Sequence, residues 1–298
     1  MKKLLFTGAS GFLGQNILPK LELDYEVDTI GLTNSDDIMV NIASEVPELP
    51  TCYDVVLHAA GKAHTVPKTE SEKKSFYDVN YQGTVNLCIA LEKVGVPKSL
   101  VFISTVAVYG CEFGDMITEE HSLDGTTPYA DSKIQAERYL TDWCAAQGVQ
   151  LGILRPSLLA GRKAPGNLGS MVAGISKGFY LNIAGGKVKK SILMAEDIAI
   201  LLPLLEEKGG VYNVCDSYHP TFGEISISVA KQLGKRKPLS IPYWMAWCLA
   251  KIGDFIGEKS PINSYKLSKM TRDLTFSNEK ARKELGWEPK DVLKNYVI

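Results

Sequence analysis

The chain has 298 residues, 45% hydrophobic and 22% charged, with a formal net charge of −1. That is ordinary globular composition with enough apolar material for a sizeable core. A near-zero balance without a long basic run gives no footprint for nucleic acid, and no stretch approaches the roughly 20 apolar residues of a membrane span.

In chain order, "LLFT" (4–7) reads as a short apolar strand that breaks at Gly8, and 12–21 has the apolar spacing of a helix. Strands are expected at 26–32 and 54–60. A long helix is expected at 78–95, stopped by Gly95 and Pro97. A further strand at 99–104 precedes a helix at 128–148, with Pro128 in its first turn and Gly148 at its end. The strand at 149–156 closes this half. Continuous apolar strands alternating with helices predict an α/β fold, a doubly wound parallel sheet covered on both faces.

The second half is less regular. Residues 164–190 are rich in Gly and Lys and read as loops around one helix near 168–177. A helix at 195–210, a strand at 211–216, helices at 221–235 and 242–257 and a short one at 277–289, closed by Gly286 and Pro289, follow. The expected division is a Rossmann-like domain over 1–160, rejoined by 191–218. Residues 161–190 and 219–298 form a small, mainly helical substrate lobe. The segment 242–257 carries Trp244 and Trp247. It reads as a helix packed on its neighbours and not as a membrane-lying one, because it lacks the positive face of an interfacial helix.

Six scattered cysteines without a CxxC pair read as reduced, mostly buried thiols of a cytoplasmic protein. His58, His64, His121 and His219 have no metal-ligand spacing. The apolar run in "MKKLLFTGASG" is too short for a signal peptide.

"TGASGFLG" (7–14) places Gly8, Gly11 and Gly14 between a strand and a helix. Gly8 permits the tight turn, Gly11 lets backbone approach a pyrophosphate, and Gly14 lets the helix pack on the sheet. The N–H groups of the helix start, with Ser10, Phe12 and Leu13, face the phosphates. "PYADSK" holds Tyr129 and Lys133 four apart, on one face of a helix. An alcohol–ketone interconversion needs a base for the hydroxyl proton. A phenol of pKa about 10 is protonated at neutral pH, and a nearby ammonium would lower that value. Tyr129 would then be the base in oxidation and the acid in reduction.

Together these motifs resemble the extended short-chain dehydrogenase/reductases, the nucleotide-sugar epimerases, dehydratases and reductases. The resemblance extends through "DVVLHAAG" (54–61), "VNYQGTVNL" (79–87), "FISTVAVYG" (102–110), "LRP" (154–156) and "AEDIA" (195–199), and so covers nearly the whole chain. It implies cofactor contacts at Asn41, Ile42, His58, Ala59, Ala60, Gly61, Asn80, Lys133 and Pro156. It implies a substrate-binding hydroxyl at Thr105, with Ser104 as the alternative. In the family's 4,6-dehydratases an acidic pair follows this threonine. Val106 and Ala107 stand here, so dehydration is not expected and 4-epimerisation or 4-keto reduction remains.

NAD-specific members carry an acid at the end of the second strand. That place falls on Gly31, so the acid is absent and Thr33 to Ser35 could donate to a 2′-phosphate, which tilts the reading toward NADP over NAD. Asp36 and Asp37 follow and could still supply the acid, although they read as part of a solvated loop. The resemblance further implies Asn167, Lys190 and Arg272 as contacts of a nucleotide-sugar substrate, most simply UDP-linked, in surface-polysaccharide synthesis. It also implies a homodimer through 78–95 and 128–148. The rival reading is a non-catalytic dinucleotide sensor or scaffold of the same fold.

Overall fold

The computed structural model describes residues 1–63, 65–256 and 263–298; His64 and 257–262 lie outside the described residues. The elements run β1 (Lys2–Thr7), α1 (Phe12–Leu21), β2 (Tyr25–Gly31), β3 (Ile38–Met39), β4 (Val55–His58), α2 (Glu70–Tyr77), a π-helical turn (Asp78–Gln82), α3 (Gly83–Val94), β5 (Ser99–Ile103), a 3₁₀ turn (Val106–Tyr109), β6 (Gly114–Ile117), α4 (Pro128–Gln147) and β7 (Gln150–Pro156). They continue with β8 (Leu158–Ala160), α5 (Gly166–Ser176), β9 (Leu181–Ile183), β10 (Ile192–Met194), α6 (Asp197–Lys208), β11 (Gly210–Val214) and α7 (Phe222–Gln232). Last come β12 (Leu239–Ile241), α8 (Tyr243–Ile256), α9 (Ser264–Met270), β13 (Leu274–Phe276), α10 (Glu279–Leu285) and α11 (Val292–Asn295).

Seven strands form one sheet in the order β11-β7-β5-β4-β1-β2-β3, every pair parallel. The doubly wound Rossmann-like arrangement expected from the strand–helix alternation is the one observed. β4 and β5 are buried at every position, as a sheet covered on both faces requires. Alternation along β1 divides the core. Leu4 and Phe6 meet Leu201 and Leu205 of α6, while Leu5 on the other face meets Leu87 of α3 and Leu140 of α4. The strand order reverses between β1 and β4, and a doubly wound sheet opens its ligand crevice at that switch point.

The helix expected at 78–95 begins earlier. Thr69 caps α2 by accepting from Glu72 N–H, and the rod then runs through the π-helical turn into α3, where Gly95 ends it at φ 110°. Residues 70–77 are mostly polar and only Phe76 is buried there, so apolar spacing gave no sign of this helix. Of the six cysteines, Cys88, Cys144 and Cys215 are buried, whereas Cys52 and Cys248 are exposed.

Outside the sheet, β8 pairs with β10, β9 with β12 and β6 with β13, each parallel. Helices α5 and α7 share a small core with Val292 and Tyr296 near the chain end. The helix expected at 242–257 is α8, and it packs through Ala246 and Ala250 on Ile183 and Leu267; residue 257 lies outside the described residues. Among its described side chains α8 buries Ala246, Ala250 and Gly253, all small, while Trp244 (66%), Trp247 (47%) and Phe255 (94%) stand exposed.

Candidate active site

A cavity of about 490 Å³ opens at the switch point. Gly8, Gly11, Phe12 and Leu13 form one wall; Ala59 and Gly61 follow β4, and Ile103, Ser104 and Thr105 follow β5. Tyr129, Lys133 and Pro156 complete the set of sequence-predicted residues that line it.

The glycine turn is held tightly. Gly8 has φ +83°, donates to Ile30 O (3.1 Å), and a Cβ there would stand 2.7 Å from Ala60 N. A Cβ at Gly14 would stand 2.2 Å from Ala9 O, so a side chain would drive α1 off the turn. Gly11 begins α1 without a capping side chain, leaving the first N–H groups of a ten-residue helix open toward the cavity. Ser157 adds a buried hydroxyl without a partner on the same lining. An uncapped helix start, a side-chain-free turn and an orphaned hydroxyl fit a dinucleotide phosphate and its attached groups.

Beneath the turn, His58 is buried and lies outside the lining. Ala60 N–H donates to Thr7 Oγ, and Thr7 Oγ bonds His58 Nδ1 at 2.6 Å. His58 Nε2 meets Thr84 Oγ at 2.9 Å, and Thr84 donates onward to Asn80 O. Burial holds the imidazole neutral, with its pKa down at about 3. His58 therefore fastens β1, β4 and α3 from beneath the turn. Asn80 works similarly: its Oδ1 accepts from Lys62 N–H and its Nδ2 donates to Ser132 Oγ, which fixes the chain after Gly61.

Tyr129 and Lys133 share one face of α4, whose start is set by Thr127 accepting from Ala130 N–H and by Pro128. Burial pushes the Tyr129 phenol up, and a hydrogen bond with the Thr105 hydroxyl pulls it back. Burial brings Lys133 down to about 8, against the pull of Glu137. Its amine donates to Ile103 O (2.9 Å) and lies 4.5 Å above the Phe102 ring. Burial and Thr105 thus act on the Tyr129 phenol, while Lys133 presents its amine on the same face of α4 and lines the same cavity. Gly61 leaves room for the amine: a Cβ there would come within 3.1 Å of Nζ.

Ser104 and Thr105 separate cleanly. Ser104 donates to Glu137, itself held by Arg155 through Nη2–Oε2 (2.5 Å) and Nε–Oε1 (3.1 Å). Arg155 continues to the Tyr109 hydroxyl, which donates to Asn213. Thr105 is the hydroxyl that meets Tyr129. Sequence reasoning missed Glu137, although Tyr129, Lys133 and Glu137 repeat at intervals of four along α4.

Several implied contacts lie elsewhere. Ile42 is in the core against Gly83, and Asn41 bonds Ala43 N–H at an exposed turn. The Ser10 side chain and Ala60 are outside the lining. The solvated-loop reading of Asp36 is wrong: its carboxylate is buried against Gly31, where a Cβ would be 2.3 Å away. Asp36 accepts from both Thr33 N–H (2.9 Å) and Thr33 Oγ (2.6 Å), so Thr33 is occupied and an acid does stand at the end of β2. Asp37 is exposed and accepts from Thr29 N–H and Oγ.

Asn167 is exposed on the first turn of α5 and is not itself on the lining, although Pro165, the cap of that helix, is. Lys190 and Arg272 come together: Lys190 Nζ donates to Arg272 O (3.0 Å), and Arg272 lies 4.6 Å over the Phe113 ring. Neither lines the cavity, but Leu274, two residues on, does, with Phe276. Burial brings Lys190 down to about 8. The β13 lining residues were missed because a three-residue strand has no readable period.

The sheet, its switch-point cavity and the glycine turn define a doubly wound dinucleotide-fold protein. Residues 4–215 match the profile of the NAD dependent epimerase/dehydratase family, and the chain belongs to that family. It is 29% identical over 301 residues to the N-acetyl-alpha-D-glucosaminyl-diphospho-ditrans,octacis-undecaprenol 4-epimerase of Escherichia coli O157:H7, covering 93% of this chain and 88% of the relative. It is also 29% identical over 243 residues to the GDP-6-deoxy-D-mannose reductase of Pseudomonas aeruginosa, covering 75% and 78%. Among solved structures it resembles the Thermotoga maritima UDP-glucose 4-epimerase with UDP-glucose (TM-score 0.74, 21% identity, 99% of this chain and 96% of that one). RMD from Pseudomonas aeruginosa complexed with NADPH is equally similar in fold (TM-score 0.74, 23% identity, 99% and 96%).

Proposed function

We propose that the chain is a sugar 4-epimerase that uses NAD on a nucleotide-linked sugar, most simply a UDP-sugar, in surface-polysaccharide synthesis. The observation that carries this is the meeting of Tyr129, Lys133 and Thr105 on the wall of the cavity that the glycine turn opens. The dinucleotide, when bound, supplies the acceptor and donor of hydride. The N–H groups of Phe12 and Leu13 would hold its phosphates, and Lys133 its ribose. Thr105 orients the substrate hydroxyl, and Tyr129 takes its proton and later returns it. Val106 and Ala107, both on the lining, offer no group for eliminating water. Lys190 and Arg272, beside the lining residue Leu274, would carry the charge that a diphosphate needs.

Asp36 favours NAD over NADP, because a carboxylate at the end of β2 repels a 2′-phosphate. Retained NAD suits epimerisation, which returns what it takes. The reductase reading uses the same groups and differs in consuming reduced cofactor; its support is the Pseudomonas aeruginosa relative. A lipid diphosphate as the sugar's carrier is supported by the name of the Escherichia coli relative.

The test is sugar proton NMR of UDP-N-acetylglucosamine with the purified protein and NAD, beside absorbance of NADH or NADPH with a UDP-4-keto-6-deoxy-N-acetylhexosamine. A second 4-epimer without net loss of absorbance supports epimerisation, and steady loss of absorbance replaces it with reduction. Tyr129→Phe should lower turnover by about 10²–10⁴-fold with cofactor affinity kept, and unchanged turnover would sink the mechanism. Asp36→Asn should raise the affinity for NADP relative to NAD by about tenfold; an unmoved ratio removes Asp36 from specificity.

A further inference from the structure

We infer that the chain docks on an anionic lipid surface through the face built by α8 and the β9/β12 pair. This goes beyond the catalytic reading and does not depend on it.

α8 lies with Ala246 and Ala250 against Ile183 of β9, Ile241 of β12 and Leu267 of α9. Among the described residues its buried stripe is made of small residues, and the large side chains stay largely uncovered, Trp247 meeting only the Lys251 amine at 5.7 Å. Trp244, Trp247, Ile252 and Phe255 point to solvent, and Leu181 and Leu239, register partners across β9 and β12, are exposed beside them. Scattered exposed apolar residues are ordinary, but a contiguous group of this size marks an interaction surface. Tryptophan, with an apolar body and one N–H donor, is the side chain suited to the boundary between lipid tails and headgroups.

Charge selects the occupant. The segments 161–190 and 219–298 hold 20 Lys and Arg against 8 Asp and Glu, a formal +12, while the remaining residues hold 13 against 26, a formal −13. The near-zero total hides this dipole. Lys235, Arg236 and Lys237 are exposed immediately before Leu239, and Lys177 is exposed two residues before the exposed Phe179. The positive charge missing from α8 itself is therefore supplied by the turns around it. An apolar aromatic face ringed by cations matches an anionic bilayer surface, whereas a second identical copy would bring the same cations into opposition. Among the described residues no helix is long and apolar enough to cross a membrane, so the contact is a surface one. α9, on which α8 rests, leads into Arg272 and Leu274 at the cavity.

The experiment is flotation of the full chain, without substrate, with vesicles of phosphatidylglycerol and phosphatidylethanolamine and with vesicles of phosphatidylcholine alone. Binding is expected to the first and to weaken with added salt. Trp143 and Trp287 are buried, so a blue shift of emission on binding reports Trp244 and Trp247. The combined W244S, W247S and F255S variant should lose about tenfold or more in partitioning, and the combined K235S, R236S and K237S variant should lose the salt-dependent part. Both should keep wild-type turnover of a soluble substrate in the absence of vesicles, so a failure of the catalytic reading leaves this result untouched. A wild-type chain that stays with the soluble fraction overturns the proposal. So does a dimer that the aromatic variant converts to monomer, which would assign the face to a second copy.

Discussion

The two ends of this molecule handle side chains in opposite ways. Around the glycine turn, polar groups are buried and joined: Thr7, His58 and Thr84 form one chain of hydrogen bonds, and Ser104, Glu137, Arg155, Tyr109 and Asn213 another. On the α8 face the apolar groups are outside and the cations around them are exposed. A site that must hold one small molecule in one pose gains from internal hydrogen bonds that leave few alternatives. A surface that meets something broad gains from area and net charge.

Breaking the buried side of this contrast should have the largest effect. Replacing Glu137 with Leu leaves the Arg155 guanidinium buried without its counter-charge. Unfolding by urea should show a loss of about 3–5 kcal/mol; a loss under about 1 kcal/mol would mean that the pair is bathed in water. Next comes Gly8→Ala, where positive φ and the approach to Ala60 combine. It should cost about 1–3 kcal/mol and abolish dinucleotide binding in a fluorescence titration. Full binding by this variant would show that the turn has slack.

A last test, confined to acid pH, sharpens the comparison. His58 has a folded pKa held below its unfolded value of 6.5, so the unfolded chain takes up the proton first. Its contribution to stability is complete above pH 6.5 and is lost as pH falls toward about 3, at about 1.4 kcal/mol per unit. The urea midpoint of His58→Gln should therefore fall less steeply than wild type in that window. Parallel slopes would place the acid sensitivity in other groups.

The sheet half was legible because its signals are local. Four-residue apolar runs, three glycines and a Tyr–Lys spacing each specify backbone without help from distant residues. Thr105 could be placed, and preferred to Ser104, by counting from Val108, but the role Ser104 takes instead depends on Glu137, which lies a helix away. Asp36 was misread because a carboxylate five residues past a strand end looks solvated until the turn folds it against Gly31. Lys190 and Arg272, 82 positions apart in the chain, meet through the bridge between Lys190 and Leu274 of β13. The α8 face was missed for a different reason: helical spacing shows which residues align, but not which stripe a neighbour covers.

The π-helical turn at Asp78–Gln82 has a consequence for how such a chain tolerates deletion. A π turn holds one residue more than an α turn, and here that surplus includes Asn80, the peg for Gly61 and Lys62. Excising a single residue from it would let the rod wind evenly from Glu70 to Val94. Every side chain upstream would rotate by about 100° relative to α3, and Asn80 would leave its post. The smoother helix would be the better-formed one, and the chain that carried it would have lost the fastening of its own pocket.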